Sequence, residues 1–295
     1  MNPPVTLLAV GTLACLTIPP VVTDAAAPPL SVPFRRVAAP AVVVEVRVNG
    51  RGPFPFVVDT GSSHSAIDPA LAAALGAPRV AKTLVSTPAG DAWAAVVRLE
   101  RLTLGPVTAS DLHATELSRE DIAPGGEAVG VIGRDLLEQR TFTLDYGQRR
   151  LDWSEVAEGE DEQVLPLETG GGVWLARVPH GSTSLTLVPD SGAEAMVLFD
   201  RGQWRRLSFR TGTNRLQSVT GERTARPGVL AELNVGAVRF VDYPVVVVDG
   251  AGVDRAHGDG LLPLHQFDRV TFRPAERLLQ LSRSLPAGRL GSETR

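Results

Sequence analysis

The sequence predicts an all-β chain built as two homologous, mostly antiparallel lobes, and three observations carry that prediction. Glycine (29) and proline (23) are abundant among 295 residues, a usage that suits many short strands joined by turns. Several short stretches alternate apolar with polar residues, as strands with one buried face do. The chain also repeats itself at an offset of 131 residues. Asp59-Thr60-Gly61 corresponds to Asp190-Ser191-Gly192, Gly90 to Gly221, and Leu102-Thr103-Leu104-Gly105 to Leu233-Asn234-Val235-Gly236. Phe142-Thr143-Leu144 corresponds to Val270-Thr271-Phe272 with the offset shortened by three.

The first 27 residues read as an address. An apolar stretch from Leu7 to Val22 precedes the small-residue run Ala25-Ala26-Ala27, the pattern of a secretory signal peptide over 1–27. The expectation is an exported protein, periplasmic or secreted, with membrane contact only if this segment is retained. A Pro- and Ala-rich spacer over 28–38 follows. The lobes are then expected at 39–153 and 164–285, joined by the acidic run Ser154 to Gln163 (154–163), with a flexible tail over 286–295.

Within the first lobe, Ala41 to Val48 alternates from Val44 onward, Phe54 to Val58 runs into a tight turn, and Leu99 to Leu104 alternates again. Asp68 before Pro69 caps a short helix that ends at Gly76. The second lobe repeats the strands at Trp174 to Val178, Leu185 to Val188, Leu230 to Val235 and Pro244 to Val248. Gly170-Gly171-Gly172 reads as a turn, since no Lys-Ser/Thr follows to make a phosphate cradle.

Composition narrows the function classes. The net charge of −4 gives no electrostatic reason to bind nucleic acid. A lone cysteine, Cys15, excludes an internal disulfide framework and a Cys-based zinc site. Five scattered histidines without an HExxH spacing argue against a zinc hydrolase, so neither metal nor cofactor is expected.

The chemistry concentrates at the two Asp-x-Gly turns. An apolar strand delivers Asp59 into Thr60-Gly61-Ser62-Ser63, and another delivers Asp190 into Ser191-Gly192-Ala193. A carboxylate at the end of an apolar strand needs donors, and backbone N–H groups beside glycine supply them. Two such carboxylates facing each other cannot both ionise, so they titrate as a pair sharing a proton. The ionised member can then take a proton from water while the protonated one polarises a carbonyl. His64, beside the first turn, reads as a rim residue, without evidence of a nucleophilic triad with Ser63.

At these residues the chain resembles the aspartic proteases, particularly the bacterial retropepsin-like group. Val57-Val58-Asp59-Thr60-Gly61-Ser62 is similar to the family's active-site signature, and Val131-Ile132-Gly133-Arg134-Asp135-Leu136-Leu137 to its second one. The resemblance implies two lobes with a cleft between them and Asp59 and Asp190 as the catalytic carboxylates. It implies that the hydroxyls of Thr60 and Ser191 clamp the two loops together, with Gly61, Gly192 and Gly133 in the loop scaffold. It further implies that Ser62 bonds the outer oxygen of its carboxylate. Thr87 and Gly90 fall where the family has its flap hairpin, Gly221 in the matching hairpin of the second lobe, and Trp93 is a candidate cleft residue. Ala193 and Pro263, the latter at the place of Gly133, depart from the pattern; proline brings no N–H to the second loop.

Two function classes follow. One is an aspartic endopeptidase acting on a peptide or protein substrate, a monomer carrying both carboxylates in one chain. The other is a catalytically impaired peptide-binding protein that uses the same cleft.

Overall fold

The computed structural model describes residues 30–37, 41–87, 89–123, 125–154, 163–180, 183–204, 207–218, 220–235 and 238–282. The expected signal peptide, the tail and all but the two ends of the acidic linker lie outside the described residues. Strands dominate, and the described helices are short: Pro69–Ala74, Arg119–Ile122 and Arg134–Leu137. None of them is long and apolar enough to cross a membrane.

The first lobe starts with a hairpin, Ala41–Val48 against Arg51–Val58, turned by Asn49 and Gly50 at φ 50° and 73°. Val42, Val44, Val46 and Val48 point into the core while Glu45 and Arg47 face solvent, as the alternation predicts. After its turn the chain returns as Ala66–Ile67, and Gly130–Ile132 slots between the two strands. That slot makes Gly130–Ile132 parallel to Arg51–Val58, a pairing the mostly antiparallel expectation did not contain. A long hairpin, Arg79–Thr87 against Gly90–Leu104, rises from the lobe. The Asp68 cap is as expected: its carboxylate accepts from the Leu71 N–H at 3.0 Å, and Gly76 ends the helix at φ 70°.

The second lobe repeats this topology. Thr183–Asp190 runs parallel to Gly260–Pro263, Met196–Asp200 flanks the latter antiparallel, and Asn214–Ser218 pairs with Gly221–Val235 as the second long hairpin. The three glycines at 170–172 turn Gln163–Gly170 into Val173–His180, Gly171 and Gly172 both at positive φ. Gln163, expected in the linker, is the first residue of that strand.

A six-stranded antiparallel ribbon fastens the lobes together. Its order is Ser31–Pro33, Arg150–Asp152, Phe142–Asp145, Arg269–Arg273, Leu278–Ser282 and Gln163–Gly170, three strands from each lobe. This corrects the spacer expectation: residues 31–37 form two strands, and Val32 and Phe34 are buried. The local two-fold axis passes between Thr143 and Thr271, whose hydroxyls meet at 2.8 Å. Beside them Phe142 stacks on Phe272 at 4.9 Å, and Trp174 leans on Phe272 at 4.8 Å. Phe272→Ala is expected to cost about 3–5 kcal/mol, the usual loss for a buried phenylalanine. Urea unfolding measures it; a loss under about 1 kcal/mol would show that this ribbon does little to hold the lobes.

Candidate active site

Each repeat strand ends by pushing its aspartate into the space between the lobes. The Asp59 N–H donates to the Ile132 carbonyl at 3.0 Å, the last rung before the turn, and the Ser62 N–H closes the turn on the Asp59 carbonyl at 3.3 Å. The Asp59 Oδ1 accepts from the Gly61 N–H at 2.9 Å. In the second lobe Asp190 Oδ1 accepts from the N–H groups of Gly192 at 2.7 Å and Ala193 at 3.0 Å. Ala193 lacks a hydroxyl, and its backbone N–H serves the carboxylate instead.

The two loops approach closely because both carry glycine. A Cβ on Gly61 would stand 2.7 Å from Asp190 Cγ, and one on Gly192 3.5 Å from Asp59 Cγ. Gly61 therefore leaves the room that the Asp190 carboxylate occupies, while a Cβ on Gly192 would only touch Asp59, and the two carboxyl groups lie within hydrogen-bonding reach of each other. Beneath them Thr60 and Ser191 are fully buried. The Thr60 hydroxyl donates to the Pro189 carbonyl at 2.7 Å and accepts from the Ser191 N–H at 3.0 Å. The Ser191 hydroxyl donates to the Val58 carbonyl at 2.8 Å and accepts from the Thr60 N–H at 3.1 Å. Four bonds thus cross between lobes, each hydroxyl tied to the two residues that flank the facing aspartate. No buried polar group of the clamp is left over.

The electrostatics follow from this crowding. Burial raises Asp59 above the ordinary carboxylate value, against the Gly61 N–H that favours its charge. Burial, and after it the charge of Asp59, pushes Asp190 up to about 8. One proton is therefore held between the pair over a wide range of pH. Among the described residues no three His, Cys, Asp or Glu side chains gather where they could hold a metal ion.

The two long hairpins meet at their tips. Thr87 pairs with Gly90 at the first tip and Ser218 with Gly221 at the second, each glycine at a φ near 140° that side chains rarely adopt. The Thr87 hydroxyl lies 2.7 Å from that of Ser218 and 2.5 Å from that of Thr220. The clamp and the joined tips are thus both built from the same two repeats. Trp93 sits farther down the first hairpin, paired with Leu84 and 72% exposed.

A family described as "Aspartyl protease" matches residues 44–136 and, a second time, 176–264. The chain belongs to the aspartyl protease family. Among curated proteins none matches its sequence. Basic 7S globulin from soybean is similar in structure, at 12% identity and a TM-score of 0.49, over 87% of this chain and 96% of that one.

The second lobe of this aspartyl protease fold braces its loop differently from the first. In the first lobe the Ser65 N–H and hydroxyl donate to the Asp135 carboxylate at 2.9 and 2.7 Å, and the Gly133 N–H donates to the Ser65 hydroxyl at 3.2 Å. Gly133 has no room for a side chain, since a Cβ would come within 2.5 Å of the His64 backbone. At the corresponding places of the second lobe stand Met196, His265 and Pro263. Proline has no N–H to satisfy, and methionine offers no hydroxyl to receive one, so the loss is matched on both sides. Pro263 keeps its strand position, aligned with Asp190 in the parallel pair. One expectation needs correction: the Ser62 hydroxyl donates to the His64 carbonyl at 2.8 Å, not to the Asp59 carboxylate. The tight Ser62–His64 turn offers that carbonyl nearer at hand. Ser65 and Asp135 escaped notice as a bracing pair; the Gly-Arg-Asp run held the signal, but only folding joins it to Ser65.

Proposed function

We propose that this chain is an exported aspartic endopeptidase that hydrolyses peptide bonds through a water activated by Asp59 and Asp190. The observation that carries the reading is the pair of carboxylates, one from each lobe, within hydrogen-bonding reach of each other above the Thr60–Ser191 clamp. With one proton between them, the ionised member accepts a proton from the attacking water as the protonated member donates toward the substrate carbonyl oxygen. The tetrahedral intermediate then collapses as the leaving nitrogen takes up a proton from the same pair. No covalent intermediate is needed. The substrate on this reading is an extended peptide lying between the carboxylates and the joined hairpins. Export rests on the sequence of residues 1–27 alone.

The changed bracing behind Asp190 favours a second reading, a peptide-binding protein with impaired catalysis. Incubating the mature chain with an unfolded protein in acid, with and without a statine-type inhibitor, separates the two. Inhibitor-sensitive cleavage supports the endopeptidase; binding without cleavage supports the alternative.

The pH dependence has a definite sign. The shared proton is present at acid pH and lost as pH rises through the upper coupled value, about 8 for Asp190. Turnover is expected to be high in acid and to fall about tenfold per pH unit above that point. A pH–rate profile that stays flat beyond pH 10 would exclude this pair as the working groups.

A further inference from the structure

The repeat allows the two long hairpins to be compared row by row. In the first, Lys82, Leu84 and Ser86 are exposed, as are Asp91 and Trp93 on the returning strand, while the residues between them are half-buried. The register pairs Leu84 with Trp93 and Ser86 with Asp91, so these five share the outer face. On the inner face Val85 and Ala94 border a hollow with Leu117 and Asp121, where the second lobe packs Leu216 and Ala225 with Phe199.

The outer rows differ in chemistry. Leu84 and Trp93 are 47% and 72% exposed, an aliphatic and an aromatic side chain side by side in water. The residues 131 positions on, Arg215 and Thr224, are paired in the same way and polar. Arg215 reaches Glu222, in the next row, at 3.1 Å, so the second hairpin answers its own charges. The first cannot. Lys82, the chain's only lysine, and Asp91 stand four residues apart along the strand direction, about 13 Å, and neither has an ion pair among the described residues.

Arg79–Thr87 is also the outermost strand of its eight-stranded sheet. It pairs with Gly90–Leu104 and, among the described residues, with nothing on its other side. A nine-residue edge with exposed apolar side chains is a template for another strand. Here a bulge and Arg79, tied to Glu116, guard only its start.

We propose that this edge pairs with the same edge of a second copy of the chain, antiparallel, about a two-fold axis at Leu84. In that register the sequence complements itself. With Leu84 opposite Leu84, the row across the joined sheets reads Trp93, Leu84, Leu84, Trp93, a continuous apolar strip. Lys82 then faces the second copy's Ser86, a small residue, and beyond it in the same row lies the second copy's Asp91. Two strand spacings, about 10 Å, are within the joint reach of a lysine and an aspartate. The two-fold makes this contact twice. A register centred on Lys82 would set two ammonium groups against each other, and one centred on Thr83 would set each against a leucine. Each copy keeps both aspartates in its own chain, so turnover per chain stays independent of concentration. The association does not rest on the endopeptidase reading.

Sedimentation velocity of the mature chain should show a monomer–dimer equilibrium. Leu84→Lys sets two cations on the axis and should abolish it. Lys82→Asp and Asp91→Lys should each weaken it about tenfold, since either change spoils two symmetric contacts. Combining the two should recover the parental constant, which a variant that merely misfolds cannot do. Leu84→Cys locates the axis. The chain after residue 27 has no cysteine, and two cysteines opposed across antiparallel strands lie close enough to oxidise to a linked dimer. Trp93→Cys, about 14 Å from its counterpart, should stay unlinked. A dimer indifferent to Leu84→Lys or to the charge exchanges, or equal linkage of the two cysteine variants, overturns the proposal. So does a monomer up to about 0.1 mM, even one whose edge takes up an extended segment of another protein.

Discussion

Asp190→Asn and Asp59→Asn are each expected to lower kcat by roughly 10³-fold or more, since each removes one half of a proton relay. The asparagines keep the shape of the carboxylates but can neither hold the shared proton nor take one from water. The loss should be equal for the two residues and independent of protein concentration, because both loops belong to one chain and clamp each other directly. A near-parental rate for Asp190→Asn, or a rate that falls on dilution, would point instead to two copies of Asp59 meeting in a dimer. Stability offers a control with the opposite sign. A carboxyl whose folded pKa is raised favours folding in acid, and that contribution disappears as pH climbs from the ordinary carboxylate value of 3.8 through about 8. Asparagine has no such dependence. Above pH 8 the Asp190→Asn chain should therefore melt at or above the parental temperature, so that lost activity cannot be put down to lost structure.

Thr60→Val is expected to be damaging in both respects. Valine matches threonine in shape, yet it leaves the Pro189 carbonyl without its donor and the Ser191 N–H without its acceptor, at a site sealed from solvent. Two stranded buried groups cost about 2–5 kcal/mol together. The loop carrying Asp190 is also released from its neighbour, and a shift of about 1 Å there is enough to cost roughly 10²-fold in rate. Thr60→Ser restores the hydroxyl and should recover most of both losses, as serine already serves at position 191. Urea unfolding and kcat on one substrate read the two effects together. If Thr60→Val matched the parent in each, the clamp would be ornamental.

Much of the floor of the site was legible in the chain itself. Two apolar strands each running into Asp-Thr/Ser-Gly, 131 residues apart, located both aspartates and both clamp hydroxyls, because the same residues that shape the turn also supply its bonds. The short helix was legible for a similar reason: Asp68, Pro69 and Gly76 act within a few residues of one another. What escaped was made by distance. The strands at 31–37 are too short to show a period, and the first gains its meaning from Arg150–Asp152, well over a hundred residues on. The parallel slot of Gly130–Ile132 depends on where the chain returns after a long hairpin. Ser62 was assigned to Asp59 because the turn places them together, whereas a carbonyl two residues ahead captures its hydroxyl. The proline at the place of Gly133 read from the sequence as a departure, yet Met196 in place of Ser65 leaves no acceptor waiting for the missing N–H. In space the two exchanges are a matched pair.

On the endopeptidase reading, the meeting of Thr87 with Ser218 and Thr220 closes the site into a passage whose roof both halves contribute. A passage with two-fold symmetry would admit a peptide backbone in either direction with equal ease. The walls below this roof are not symmetric: one is hollow beside Asp121, the other plugged by Phe199. Because the two repeats share a chain, each could change without the same change appearing opposite. A peptide threaded through meets different walls depending on which end leads, so the passage has a polarity that two identical halves could not give it.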